Sequence, residues 1–289
     1  MSIIEDDPGL SRRPVRAGRM QAGSGKGSMI ASILEGDVIP GLLRNYAASM
    51  PARTGAGPGG NSFDSEALLL SESLLGWRAD APQRIMEDLR GRGGHGARFA
   101  EAVLGEAARR LGEMWVEDRC SFFQVSLAMS ELQSLLRAGR PETASIGAAP
   151  AGSLCGKVVL ATAPGEQHSF GVSVLEVAFA EAGWATTTMV GQPFSALSQL
   201  LGQSSFDVVA LSCSCSGLLD GLKSAIGTLR RASLNPHVKV LVGGHLESQV
   251  ECFAERVGAD ASAGDIESAL AAANSLLAQP REPAHEQAR

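Results

Sequence analysis

Aromatic side chains make up only 4% of this 289-residue chain, whereas glycine and alanine are abundant. That scarcity excludes a large aromatic core and favours close packing of small residues. Paired cysteines are also lacking. Cys120, Cys155, Cys213, Cys215 and Cys252 are odd in number and do not show the spacing of a zinc finger or ribbon. Reduced thiols are therefore expected, with Cys213 and Cys215 as small core residues beside a strand. No apolar run approaches the roughly 18 residues of a membrane span. The first residues are acidic, unlike the basic-then-apolar opening of a secretion signal. A soluble, cytoplasmic protein is the expectation. The net charge of −6 argues against wholesale nucleic-acid binding but leaves room for a local basic segment.

Residues 1–62 contain such a segment. Arg12, Arg13, Arg16, Arg19 and Lys26 have no acid among them, and Gly, Ser and Pro dominate the surroundings. The expectation is a flexible tail, with a possible DNA contact through the four arginines. Residues 63–140 read as a small helical bundle. Phe99, Val103, Ala107, Leu111 and Trp115 recur at helical spacing, as do Phe122, Val125, Met129, Leu132 and Leu136. Asp118 or Ser121 is placed to cap the second series. A Gly-, Pro- and Ala-rich linker follows over 141–153.

From residue 154 to 278 the pattern changes. Short β-branched runs at 158–161, 186–190, 208–212 and 238–242 alternate with helix-length segments, and a weaker strand falls near 259–263. The predicted class is α/β, a flavodoxin-like parallel five-stranded sheet of order 2-1-3-4-5, preceded by the helical cap. The last helix is expected at 266–277, before a disordered tail at 279–289.

The chemistry gathers after the strands. Glu166-x-His168-x-x-Gly171 follows the first, Ser212-Cys213-Ser214 the third and Gly243-Gly244 the fourth. In a parallel sheet these loops meet at the carboxyl edge, where such folds bind ligands. His168 is a candidate metal ligand, and Glu166 can accept a hydrogen bond from its other ring nitrogen. Gly171 permits close approach or a sharp turn, Ser212 and Ser214 offer hydroxyls, and Gly243 and Gly244 leave space.

These three elements together resemble the cobalamin-binding domain, with Glu166 standing where Asp is usual. The resemblance implies that His168 coordinates cobalt in place of the cofactor's own base, whose nucleotide tail then threads past the Ser and Gly-Gly positions. The Leu111-Gly-Glu-Met-Trp115 stretch is similar to that of light-sensing cobalamin regulators, in which the Trp covers the upper axial group; Trp115 alone also reads as core. A Glu-His pair those photoreceptors carry beyond the Trp is replaced here by Gln124, Val125 and Ser126. A cap without a DNA-binding head resembles the photosystem antirepressors (AerR/PpaA type).

That resemblance implies a light- or redox-responsive cobalamin regulator, not an enzyme, that binds a transcriptional repressor of photosystem genes. The form of the cofactor, adenosyl-, methyl- or hydroxocobalamin, is left open. Two alternatives stand beside it: a corrinoid methyl-carrier subunit, and a haem sensor on the same fold. His95, His237 and His245 are further candidate axial ligands, read chiefly as surface residues, and Glu113, Glu117 and Asp118 are expected to face water.

Overall fold

A computed structural model describes residues 63–76, 81–139 and 155–279. The arginine cluster at 12–19, the linker at 141–153 and most of the C-terminal tail lie outside the described residues. Helices α1 (Asp64–Leu75), α2 (Ala81–Gly91), α3 (Gly96–Ala100), α4 (Glu106–Val116) and α5 (Phe122–Ala138) come first. Then β1 (Lys157–Thr162), α6 (Phe170–Glu181), β2 (Ala185–Met189), α7 (Phe194–Gln203) and β3 (Val208–Ser212) alternate. The chain continues through α8 (Leu219–Ala232), β4 (Lys239–Gly243), α9 (Phe253–Val257), β5 (Ala261–Ala263) and α10 (Ile266–Ala278). Among the described residues, no helix is long and apolar enough to cross a membrane.

All five strands are parallel in the order β2-β1-β3-β4-β5, the predicted topology. Alternation along the strands explains the layering, because successive side chains point to opposite faces. Val159, Ala161, Val209, Leu211, Val240 and Val242 face α7 and α8 through Leu197, Leu201, Leu222, Ile226 and Leu229. Val158, Leu160, Val208, Ala210 and Leu241 face the other way, against Val172 and Phe179 of α6 and Ala269, Ala273 and Leu276 of α10.

Helix α6 is buried on two sides, which is why it is apolar nearly all round. Val172 and Phe179 meet the sheet, while Phe170, Val174 and Ala178 join a third cluster with Leu70, Met86, Leu104, Leu111 and Leu132 of the helical layer. The α3 amide of Ala97 adds a bond of 3.0 Å to Glu181 Oε2 at the end of α6. Arg98 meets Glu267 of α10 at 2.9 Å, an exposed pair of small energetic weight.

Two helical expectations change in detail. Phe99, Val103, Ala107, Leu111 and Trp115 are all buried, but the segment is not one regular helix. A π-helical turn spans Glu101–Gly105 between α3 and α4. A strict four-residue repeat overshoots a 3.6-residue turn by about 40° per step, and the wider π turn takes back part of that drift. In α5 the buried residues are Ala128, Leu132, Leu135 and Leu136. Phe122 is 42% exposed, so the apolar stripe expected from Phe122 onward faces inward only along the later turns. Ser121, not Asp118, caps α5, exchanging bonds with Gln124 in a capping box worth about 1 kcal/mol. Asp118 instead takes a left-handed backbone at φ 56°.

Candidate functional site

The loops after β1 and β3 are joined through one carboxylate. Glu166 has a fully buried side chain. Its Oε1 accepts from the amides of Gln167 at 2.8 Å and His168 at 2.9 Å, and lies 2.6 Å from His168 Nδ1. Its Oε2 accepts from the Ser214 amide at 2.6 Å. Burial alone would raise the carboxyl pKa. The bonds from the His168 ring and amide and the Ser214 amide outweigh it and hold the group down to about 2. The same carboxylate therefore folds its own loop, fixes the imidazole and draws in the neighbouring loop.

His168 is about one-third exposed. With Glu166 accepting at Nδ1, the ring nitrogen available to a metal in the neutral tautomer is Nε2. Ser214 contributes through its backbone: its amide holds Glu166. Ser212 ends β3, where its carbonyl accepts from Ala163 N at 2.9 Å. Cys213 is fully buried, and its thiol is pushed up to about 12 by burial and by the charge of Glu166. Cys215 is not the core residue expected from the sequence. It is half-buried, with Sγ 3.9 Å from His168 Nδ1 and 4.0 Å from Glu166 Oε1. Burial and then Glu166 raise its thiol to about 11.

Beside this polar cluster a cavity of about 950 Å³ enters between the sheet edge and helices α6 and α10. Gly171, Ser212, Gly243 and Gly244 line it, whereas Glu166, His168, Ser214 and Trp115 do not. The glycines have separate roles. A Cβ on Gly243 would lie 2.5 Å from the Ala263 carbonyl oxygen, so β4 and β5 could not keep their spacing. Gly244 has φ +95°, and a Cβ there would meet the Cys213 backbone oxygen at 2.7 Å. Gly171 makes no turn; it sits in the first turn of α6, and a Cβ there would meet nothing within 4 Å. Leu160, Ala210 and Leu241 form the apolar floor.

Several cavity residues escaped the sequence reading. Arg98, Glu101, Glu106 and Arg109 form a wall from the helical layer. Arg109 pairs with Glu106 and Glu113, which raises the guanidinium pKa further. The carboxyl pKa of Glu101 is raised by burial, opposed by a bond from the Ile266 amide, with Asp265 adding to the rise. A signal was present: Arg98, Glu101 and Arg109, with Gly105 between them also lining the cavity, recur every three or four residues beside the apolar stripe.

Trp115 is buried in the helical layer, its ring 5.8 Å from that of Phe122. Of the additional histidines, His237 precedes β4 and lines a separate cavity at the amino edge. His95 precedes α3, and His245 follows Gly244 with its Nε2 2.8 Å from Gln249 Nε2. Glu113 faces Arg109, while Glu117 and Asp118 are exposed.

The arrangement suits a group with two parts. His168 can ligate a metal, and the neighbouring glycine-lined cleft, apolar at its floor and polar along its wall, can take a long tail with a polar linker and an aromatic base. A cobalamin bound through a protein histidine has both parts, so the residues present fit it. Haem fits less well, because its two short propionate arms would leave most of a cleft of about 950 Å³ unfilled.

Comparison with known proteins agrees with this fit. Residues 156–274 match the family described as the B12 binding domain. An uncharacterized 20.5 kDa protein in the bchF-crtJ intergenic region of Rhodobacter capsulatus is 29% identical over 170 residues, covering 58% of this chain and 86% of that protein. A corrinoid protein of Desulfitobacterium hafniense is 29% identical over 171 residues, 58% of this chain and 76% of the relative. The dimethylamine corrinoid protein of Methanosarcina barkeri is 30% identical over 153 residues, 52% of this chain and 68% of the relative. Among solved structures, the monomethylamine corrinoid protein of Methanosarcina barkeri shares the fold. Its TM-score is 0.56 at 17% identity, over 75% of this chain and 99% of that one.

Proposed function

The chain belongs to the B12-binding corrinoid proteins, and from that premise we propose that it is a cobalamin-dependent regulator and not a catalyst. One observation carries the cofactor assignment: Glu166 fixes His168 at Nδ1 beside a cleft that Gly171, Ser212, Gly243 and Gly244 line. His168 Nε2 would ligate cobalt. Ser212, Gly243 and Gly244 would flank the nucleotide tail, Gly171 would leave it room, and the wall from Arg98 to Arg109 would close the far side. When bound, cobalamin supplies a cobalt centre whose upper ligand can be exchanged or, in alkyl forms, released by light.

The regulatory role rests on coupling between the layers. The Ala97–Glu181 bond and the shared burial of Phe170, Val174, Ala178 and Ile266 with residues of the helical layer tie that layer to α6 and α10, the helices that flank the cleft. A change in how the cleft is filled therefore bears on the helical layer, where a partner would dock. By resemblance, that partner is a transcriptional repressor of photosystem genes. Trp115 belongs to this reading as the residue nearest in role to an upper-face cover. DNA contact by Arg12, Arg13, Arg16 and Arg19 is a subsidiary part of it.

A second reading has its own support. The Desulfitobacterium and Methanosarcina relatives are named as corrinoid proteins, two of them of methylamine systems. These names favour a methyl-carrier subunit more directly than they favour a regulator. Both readings require the same His168 ligation and differ in the partner.

An absorption spectrum of the protein after mixing with adenosyl-, methyl- and hydroxocobalamin and desalting, dark and illuminated, tests the cofactor. The expected result is retention with a spectrum that His168→Ala alters. Equal retention by wild type and His168→Ala would remove the assignment. Capture of partners with the loaded protein decides the role: a DNA-binding repressor supports regulation, whereas methyltransferases establish the carrier.

A further inference from the structure

Cys215 has no part in the cofactor assignment, yet it completes a set of metal donors. Its Sγ lies 3.9 Å from His168 Nδ1 and 4.0 Å from Glu166 Oε1, and those two atoms are 2.6 Å apart. Ligand atoms from these three side chains all fall within 4.8 Å of one another. Zinc binds sulfur at about 2.3 Å and nitrogen or oxygen at about 2.0–2.2 Å, so tetrahedral donors stand roughly 3.3–3.7 Å apart. Two edges of the triangle are therefore slightly long. The third is short because a hydrogen bond spans it. Exchanging that shared proton for a cation widens the short edge and draws the sulfur in, with shifts of under about 1 Å on these bond lengths.

We propose that Glu166, His168 and Cys215 form a site for a thiophilic divalent cation such as zinc, filled when cobalamin is not bound. Charge balance supports it. A carboxylate and a thiolate neutralise a divalent ion, and a coordinated thiol gives up its proton. The second oxygen of Glu166 is already held by the Ser214 amide at 2.6 Å, which aims the carboxylate. His168 reaches solvent, so water can take the fourth position. Cys213 is not a donor to this site; its thiol points to the Cys215 carbonyl at 3.8 Å.

The site has a consequence for loading. A neutral imidazole that binds a cation at Nδ1 carries its hydrogen on Nε2, the atom assigned to cobalt. Zinc and His-ligated cobalamin then exclude each other. This consequence rests on the corrinoid reading, whereas the cation site itself does not.

The test uses the full chain, freed of metal and cobalamin and titrated with cobaltous chloride as a spectroscopic stand-in for zinc. One equivalent is expected to give thiolate-to-cobalt charge transfer in the near ultraviolet and visible bands of four-coordinate intensity. Zinc should displace both. Cys215→Ser should abolish the charge transfer, with Cys215→Ala as a second variant and circular dichroism confirming the fold. His168→Ala should weaken binding by about tenfold or more, while Cys155→Ser and Cys252→Ser change nothing. No thiolate band at saturation, or a band that survives Cys215→Ser, would overturn the site. Zinc preloading should lower cobalamin retention in wild type but not in Cys215→Ser. If cobalamin is retained equally with and without zinc, the exclusion fails. If none is retained under either condition, the corrinoid reading fails while the thiolate band still decides the cation site.

Discussion

Both edges of the sheet use a carboxylate to bind backbone amides, and the proposed cofactor site lies at the carboxyl edge. At the amino edge Asp207 accepts from Lys157 N at 2.9 Å, and Asp260 accepts from Val240 N at 2.6 Å while pairing with Arg230 at 2.7 Å. There the acid aligns strand starts, and a cation shares the charge of Asp260. At the carboxyl edge Glu166 is sealed from water, and its side-chain partner is a histidine on the same loop. The lesson lies in the partner. A carboxylate neutralised by arginine is fastened, whereas one paired with imidazole leaves a coordinating nitrogen on the far side of the ring.

Removing the Glu166 carboxylate should have the larger effect. Glu166→Ala leaves the amides of Gln167, His168 and Ser214 without their acceptor. At about 1–3 kcal/mol for each amide that stays dry, a loss of roughly 3 kcal/mol is expected in urea denaturation. A loss no greater than that of Asp260→Ala would break the contrast. Gly243→Ala comes next, because its Cβ would press on the Ala263 carbonyl. Overpacking of this kind costs about 1–3 kcal/mol, and thermal denaturation should show it, with weaker cobalamin retention alongside.

Glu166→Gln sharpens the comparison by keeping size and removing charge. Loss of an outer partner to a metal-ligating histidine typically costs 10–100-fold in affinity. A weakening of about tenfold in cobalamin binding is expected by spectroscopic titration, and unchanged affinity would show that His168 needs no anionic partner. The same variant tests pH. The folded pKa of Glu166, about 2, lies below its unfolded value of about 4.3. Its contribution to stability is therefore full above the unfolded value and is lost as pH falls towards 2. Glu166→Gln should flatten that part of the acid denaturation curve. Asp260→Ala should have the smallest functional effect: about 1 kcal/mol of stability for a part-exposed acceptor, with cobalamin retention unchanged after desalting.

Much of this was legible before the structure. Strand order, all five strands to within a residue or two, and the convergence of Glu166, Ser212 and Gly243 on one edge follow from period-two patterning and the geometry of parallel crossovers. The helical layer was read less well, because an apolar repeat does not reveal local helix type. The π turn at Glu101–Gly105 and the outward-facing Phe122 lie below the resolution of a periodicity argument. Cys215 was assigned to the core by its position beside a strand, since nothing in the letters shows that the chain has left β3 and turned toward His168 by that point.

The sequence by itself determined the sheet, its order and the loops that carry Glu166, His168 and Gly243-Gly244, because these depend on local alternation and chain connectivity. Tertiary structure alone decided which side chains share the site. Ser214 works through its amide, Cys215 completes a donor triad, and Arg98, Glu101 and Arg109 wall a cleft whose loops follow them by about 60 to 145 residues in the chain. Such encounters depend on how the helical layer packs on α6 and α10, and no local pattern encodes that packing.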